Sequence, residues 1–116
     1  MNKEDNVIIP EGKIDPDSDG GNALDFRSDK FSHDSYLWRI GNDVYISFIE
    51  SLHPGKGYFR DLLTNIQRAG FTPCIPTPFA RMRQILSRLG FVSTHEPDAD
   101  SGDICEVWRP KRGDAK

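Results

Sequence analysis

Hydrophobic and polar positions become regular only from about residue 36 onward. The runs YLWRI and DVYISFIES flank Gly41-Asn42, and this pattern predicts two strands joined by a two-residue β-hairpin turn. Side chains alternate along a strand, so the second strand is expected to present one face made of Val44, Ile46, Phe48 and Glu50. Apolar residues on both faces of that strand indicate an inner position in a sheet.

Two amphipathic helices are predicted next, each followed by a strand. The first apolar stripe has helical spacing and ends at Gly70; it comprises Phe59, Leu62, Leu63, Ile66 and Ala69. The second ends at Gly90 and comprises Phe79, Met82, Ile85, Leu86 and Leu89. FTPCIPT, FVSTHE and ICEVWRP read as strands. The predicted order is β-β-α-β-α-β-β, a mixed, largely antiparallel sheet flanked by helices, in the α/β (α+β) class.

The chain before residue 36 is polar and lacks a clear period. Proline and glycine interrupt it repeatedly, so we expect residues 1–35 to be an acidic, flexible segment. Within this segment we expect ALDF to pack one turn onto the body of the domain. Residues 36–110 are expected to form the core domain, and residues 111–116 a charged tail.

One modest domain is what 116 residues can form. No apolar run approaches the roughly 20 residues that a membrane-spanning helix needs. Cys74 and Cys105 are far apart and show no zinc-binding spacing, and both fall in predicted strands. We therefore expect a cytoplasmic protein with reduced thiols, no membrane association and no metal site.

The stretch DPDSDGGNALDF resembles the start of an EF-hand loop, with aspartates at 15, 17 and 19 and a glycine at 20. The twelfth position, where a bidentate glutamate belongs, is Phe26. An acidic segment without calcium is the favoured interpretation.

Charge is unevenly distributed, although the net value is only −3. Residues 1–35 carry nine acids and four bases, whereas residues 54–94 carry six bases and a single acid, Asp61. A basic centre in an acidic protein indicates a local anionic ligand. The open alternative is that these bases lie on the solvated faces of two helices.

The loop HPGKGYFRDLL (53–63) is the strongest candidate for chemistry. A strand, a Gly-x-Gly turn and a helix present free backbone N–H groups and the positive end of a helix dipole to an anion. Lys56 and Arg60 add charge at the same end. The spacing fits neither a Walker loop nor a dinucleotide fingerprint.

With this loop, residues 36–110 resemble the GNAT N-acetyltransferase family. That family carries R/Q-x-x-G-x-G/A after its fourth strand, and residues 54–59, PGKGYF, align with it. RMRQILSRLGF (81–91) resembles the second family signature, a short helix closing in Leu-Gly-Phe before a strand. Small members of this kind are similar to proteins encoded by bacteriophages.

The resemblance implies acetyl-CoA as co-substrate, held between the strands at 43–51 and 71–77. Backbone groups near Ile49 and Ser51 would meet the pantetheine arm. The pyrophosphate would meet the backbone amides of the loop and first helical turn, which are those of Gly55, Lys56, Gly57, Tyr58, Phe59 and Arg60.

The resemblance also implies acetyl transfer to a small amine or a protein acceptor by direct attack on the thioester. Glu50 is the candidate base, since it lies on the strand that would flank the thioester. His53 beside the loop and His95 on the penultimate strand are weaker candidates.

Four positions depart from the family pattern. In the loop, Pro54 replaces the opening Arg/Gln and Phe59 replaces the second glycine or alanine. In the second helix, Phe79 replaces the opening asparagine and Leu86 replaces the tyrosine that protonates the leaving thiolate. An alternative function is therefore a catalytically inactive GNAT-like module that binds a host or partner protein. Nucleic acid is a less favoured partner because the protein is acidic and its arginine-rich helices lack stacking aromatics. A homodimer through an exposed sheet edge is compatible with the pattern.

Overall fold

The computed structural model describes residues 9–98 and 101–111. The chain divides into two compact units, Met1–Pro73 and Cys74–Lys116. Among the helices described, none has the length and apolar character that crossing a bilayer requires.

The first unit contains the predicted hairpin and the first predicted helix. In chain order its elements are β1 (Gly12–Ile14), α1 (Asp19–Ala23), β2 (Tyr36–Ile40), β3 (Asp43–Phe48) and α2 (Tyr58–Arg68). β1 pairs with β2 and β2 with β3, both antiparallel. The β2–β3 turn is tight because Gly41 adopts a φ of 62°, which glycine reaches without strain.

The described part of the N-terminal segment, residues 9–35, is folded. Ser18 caps α1 by accepting a hydrogen bond from the Gly21 amide, and Leu24, Phe26 and Phe31 are fully buried. The rings of Phe26 and Phe31 lie 5.4 Å apart, and Asn65 of α2 donates to the Leu24 carbonyl at 2.9 Å. The expected packing of ALDF is thus observed. The domain boundary at residue 35 remains a prediction, and residues 1–8 and 112–116 lie outside the described range.

A β-bulge changes the face on which Phe48 lies. Val44 and Ile46 are buried as expected, but the register shifts so that Phe48, not Ser47, lies opposite Tyr36. A bulge places two residues of one strand against one residue of its partner and so reverses the alternation. Phe48 is consequently 47% exposed, and the expectation that it shares the face of Val44 and Ile46 is wrong.

The second unit contains the remaining predicted elements. β4 (Thr72–Pro76) spans the division between the units and is followed by α3 (Ala80–Arg88), β5 (Phe91–Pro97) and β6 (Ile104–Pro110). β6 pairs antiparallel with both β4 and β5. In α3 Leu86 is fully buried, whereas Phe79 is the N-cap residue and is 88% exposed, so the predicted stripe is wrong at Phe79.

Two ion pairs connect elements of the second unit, one between two strands and one between α3 and β6. Arg109 of β6 binds Glu96 of β5 through two N–H···O contacts of 2.7 Å and donates to the Cys74 thiol at 3.0 Å. Glu106 accepts from Arg83 of α3 and from the Trp108 indole.

The predicted fold class is confirmed. The order β-β-α-β-α-β-β is observed from Tyr36 to Pro110, preceded by β1 and α1 in the described N-terminal part. The strand pairings within both units are antiparallel, and each unit also contains helices. The class is therefore mixed α/β with a largely antiparallel arrangement.

Candidate functional site

The candidate site is the segment 49–60, which connects β3 to α2 in the first unit. After residue 52 the chain makes a turn in which the Lys56 amide donates to the His53 carbonyl at 3.3 Å. Gly55 and Gly57 have φ values of 90° and 82°, a left-handed conformation that side-chain-bearing residues rarely adopt. The two glycines therefore shape the turn that leads into the helix.

Helix α2 begins without a side-chain cap. Its N-cap residue is Gly57, no side chain caps the helix among the described residues, and the first helical bond runs from the Asp61 amide to the Gly57 carbonyl at 2.9 Å. Helix geometry leaves the amides of Tyr58, Phe59 and Arg60 without an intrahelical acceptor. These amides and the helix dipole together favour an anion at this end.

Cationic side chains lie at the same end. The Arg60 guanidinium folds back over Gly57, and its Nη2 atom would lie 3.0 Å from a Cβ built on that glycine. Lys56 is exposed in the turn, and Asp61 is the acid of the first helical turn. The loop therefore has a net positive charge close to the free amides.

The strand that enters the loop is held along one edge. The Ser32 amide donates to the Glu50 carbonyl at 2.9 Å, and the Leu52 amide donates to the Lys30 carbonyl at 2.8 Å. These bonds flank an antiparallel bridge between Phe31 and Ser51. Alternate residues of a strand direct their backbone groups to opposite edges. The backbone groups of Ile49 and Ser51 consequently face away from residues 30–32.

Glu50 is fixed through its backbone. Its amide donates to the hydroxyl of Ser35 at 2.9 Å, and that hydroxyl lies 3.0 Å from the hydroxyl of Ser32. Ser35 is buried, whereas the Glu50 residue is exposed. The backbone of Glu50 is thus anchored, while the residue remains exposed to solvent.

Tyr58, the first residue of α2, lies in an aromatic and cationic environment. The His53 ring meets it edge-on at 6.0 Å between centroids, and the Lys30 ammonium lies 5.2 Å from the centre of the Tyr58 ring. A hydrogen bond to Asp25 raises the pKa of Lys30 and keeps it charged. Lys30, which is ion-paired with Asp25, therefore places a third cationic side chain near the loop.

Sequence reasoning missed Lys30, Ser32 and Ser35 because no local pattern marks them. They come from the polar N-terminal segment, and their contacts to the loop span 15 to 28 positions of the chain. The acidic content of the segment gave no indication that two of its serines hold Glu50 and the neighbouring strand.

Other predicted residues lie elsewhere. His95 is on β5 and Cys74 on β4, both in the second unit, and Cys74 is fully buried. Leu86, which the sequence resemblance aligned with a tyrosine, is also fully buried. Asp17 of the EF-hand-like stretch accepts hydrogen bonds from the Ser28 hydroxyl and amide, which lower its pKa. Within residues 9–98 and 101–111 no group of three or more potential ligands is placed to hold a metal ion.

Comparison with known proteins gives limited similarity. No protein-family model matches the chain, and no curated protein sequence matches it. The chain is similar to the crystal structure of a "putative N-acetyltransferase" from Lactobacillus plantarum, with 16% identity and a TM-score of 0.43. The similarity covers 66% of this chain and 58% of that chain, so the chain spans less than two thirds of that protein. Similarity of this extent assigns no activity to the chain.

Proposed function

We propose that the chain binds acetyl-CoA, or another acyl-CoA, through residues 54–60 and transfers the acyl group to an amine. The observation that carries this proposal is the start of α2. A left-handed Gly57 precedes an uncapped helix, and the Arg60 guanidinium lies over that glycine. Free amides, the helix dipole and adjacent cations are the features that bind a pyrophosphate.

The strand before the loop supports the same ligand. Backbone groups of Ile49 and Ser51 face away from residues 30–32, as an edge must if it is to bind an amide-containing arm such as pantetheine. The amides of Gly55, Lys56, Gly57, Tyr58, Phe59 and Arg60 would hold the pyrophosphate. GNAT-type use of acetyl-CoA thus agrees with the geometry of one continuous segment.

Glu50 is the proposed general base. Bound acetyl-CoA would supply an activated thioester for attack by the amine acceptor. The Glu50 carboxylate would remove the proton from the attacking amine, directly or through water, while Ser35 and Ser32 keep its backbone in place. Leu86 carries no proton to donate, so solvent would protonate the leaving thiolate.

Calorimetric titration with acetyl-CoA tests the binding step. We expect micromolar affinity, about −8 kcal/mol, and a loss on the order of 100-fold in Gly57→Glu, because bulk and like charge would oppose the pyrophosphate. Gly70→Glu is the matched control. Gly70 also has a positive φ and lies in open space, but at the other end of α2. Equal loss in both variants, or no wild-type binding at millimolar acetyl-CoA, would refute the loop as the cofactor site.

A thiol-release assay with small amines and peptides tests catalysis. We expect Glu50→Gln to lower kcat by about 100-fold while acetyl-CoA affinity stays within about twofold. Unchanged kcat in this variant would exclude Glu50 as the base.

The second candidate is a GNAT-like module that binds a partner protein without catalysis. Two observations favour it: Leu86, which the sequence resemblance aligned with a tyrosine, is fully buried, and Phe79 is 88% exposed at the start of α3. Saturable acetyl-CoA binding with no turnover on any amine would support this candidate over the enzyme.

A further inference from the structure

The outward side of the first unit's sheet carries an aromatic face, which consists of Tyr36, Trp38, Ile40, Tyr45 and Phe48. The register places Trp38 between Lys13 of β1 and Tyr45 of β3, and Tyr36 opposite Phe48. The other side of the same strands is buried and carries Ile14, Leu37, Val44 and Ile46.

The aromatic face is open to solvent. Trp38, Ile40 and Phe48 are 42%, 41% and 47% exposed, and Tyr36 and Tyr45 are half-buried. Large side chains of this kind have about 200 Å² of surface each, so the three exposed ones leave on the order of 300 Å² of apolar area. A patch of this size is comparable to the largest apolar patch on a typical monomer, and such patches are often functional.

The β-bulge in β3 helps to create the patch. It turns Phe48 outward to lie beside Tyr36, whereas regular alternation would have placed it with the buried residues. A phenylalanine is therefore displaced from the core to the same side as Trp38. Aromatic residues are enriched at the centres of protein interfaces.

The charges around the face favour a second copy of this chain as its partner. Lys13 is paired with Asp15 at 3.6 Å, and Asp43 lies opposite Ile40 at the end of the hairpin. The face is thus close to neutral. A two-fold interface brings a patch against itself, so strong charge of one sign would oppose it. A highly charged partner such as nucleic acid would not match this surface.

We propose that the aromatic face is the interface of a two-fold symmetric homodimer. With the two-fold axis parallel to β2, the Trp38 side chains of the two copies meet, and β1 of each copy lies over β3 of the other. Lys13, which already lies 5.3 Å from the centre of the Tyr36 ring, then meets Tyr45 of the second copy. Together with the lysine stem and the tyrosines, the face supplies about 500 Å² per copy, which reaches the roughly 1,000 Å² that a specific interface needs.

Sedimentation equilibrium of the full chain from about 1 to about 200 μM tests this proposal, because that range covers a dimer with a dissociation constant in the micromolar range, about −8 kcal/mol. We expect the wild type to form a dimer and Trp38→Lys to weaken it by at least about thirtyfold. Val92→Lys is the control, because Val92 is 43% exposed on a strand of the second unit. It should dimerise like the wild type.

Ile40→Lys is the second test variant, and it should also weaken the dimer if Trp38→Lys does not fold. Circular dichroism establishes that each variant is folded before its mass is measured. A wild type that stays monomeric at about 200 μM would leave the face to a different protein and overturn the proposal. A dimer that persists in both folded variants would place the interface elsewhere, for example at the β1 edge, and would also overturn it.

Discussion

The ion pair between Glu96 and Arg109 gives a pH-dependent prediction. Hydrogen bonds from Arg109, with a further one from the Thr94 hydroxyl, lower the pKa of Glu96 from 4.5 to about 2, although burial opposes this. A carboxyl group whose pKa is lower in the folded state binds its proton more weakly there than in the unfolded chain. Its stabilisation is therefore complete above pH 4.5 and is lost as the pH falls toward 2.

The size of the effect follows from the pKa. A decrease from 4.5 to about 2 corresponds to about 3 kcal/mol, at about 1.4 kcal/mol for each tenfold change in proton affinity. Both side chains are partly exposed, Arg109 by 22% and Glu96 by 26%, so solvent screening reduces the expected contribution to about 2 kcal/mol. Glu96→Gln should lower the free energy of unfolding by this amount at pH 7 and by little near pH 2.

Urea unfolding followed by circular dichroism at several pH values measures the difference between wild type and Glu96→Gln. Glu50→Gln, which removes an exposed carboxylate, should change the free energy of unfolding by less than about 0.5 kcal/mol. A Glu96→Gln difference that is the same at neutral and acidic pH would refute the electrostatic origin of the effect. A difference near zero at both pH values would show that the Glu96–Arg109 ion pair contributes nothing to the free energy of unfolding.

Three further results are expected. Phe26→Ala should cost about 3–5 kcal/mol in urea unfolding, because Phe26 is fully buried against Phe31; a cost below about 1 kcal/mol would contradict the packing of the N-terminal segment. Ser35→Ala should lower the free energy of unfolding by about 1–2 kcal/mol, because the Glu50 amide loses its acceptor. Hydrogen exchange at the Glu50 amide should also accelerate, and unchanged exchange would contradict the contact between Ser35 and Glu50. Arg60→Ala should weaken acetyl-CoA binding about tenfold at low salt and less at high salt, and a salt-independent loss would exclude a charge contact.

Local patterns in the sequence predicted much of this protein. The Gly41-Asn42 turn, the apolar stripe ended by Gly70 and the five strands after residue 35 depend on spacing of 2 or 3.6 residues and on turn residues. These signals act over a few positions and are readable without the fold. The glycine loop was identified in the same way, since Gly55 and Gly57 determine the turn into α2.

The tertiary structure decided which residues surround that loop and which way the strand residues face. Lys30, Ser32 and Ser35 reach the loop only because Phe26 and Phe31, which follow no regular period, bury the N-terminal segment. Burial of an isolated aromatic residue depends on the neighbours that the fold supplies, and its own sequence neighbours do not reveal it.

The orientation of Phe48 also depends on a neighbour that the fold supplies, here the paired strand β2. Alternation along β3 indicates the core, but pairing with Tyr36 requires a bulge, and the register of two strands is a property of the pair. Thus the sequence alone determined the elements and the glycine turn that leads into α2, because these depend on local backbone preferences. The backbone anchor of Glu50, the cation beside Tyr58 and the exposed aromatic face depend on contacts between distant residues, which only the folded chain brings together.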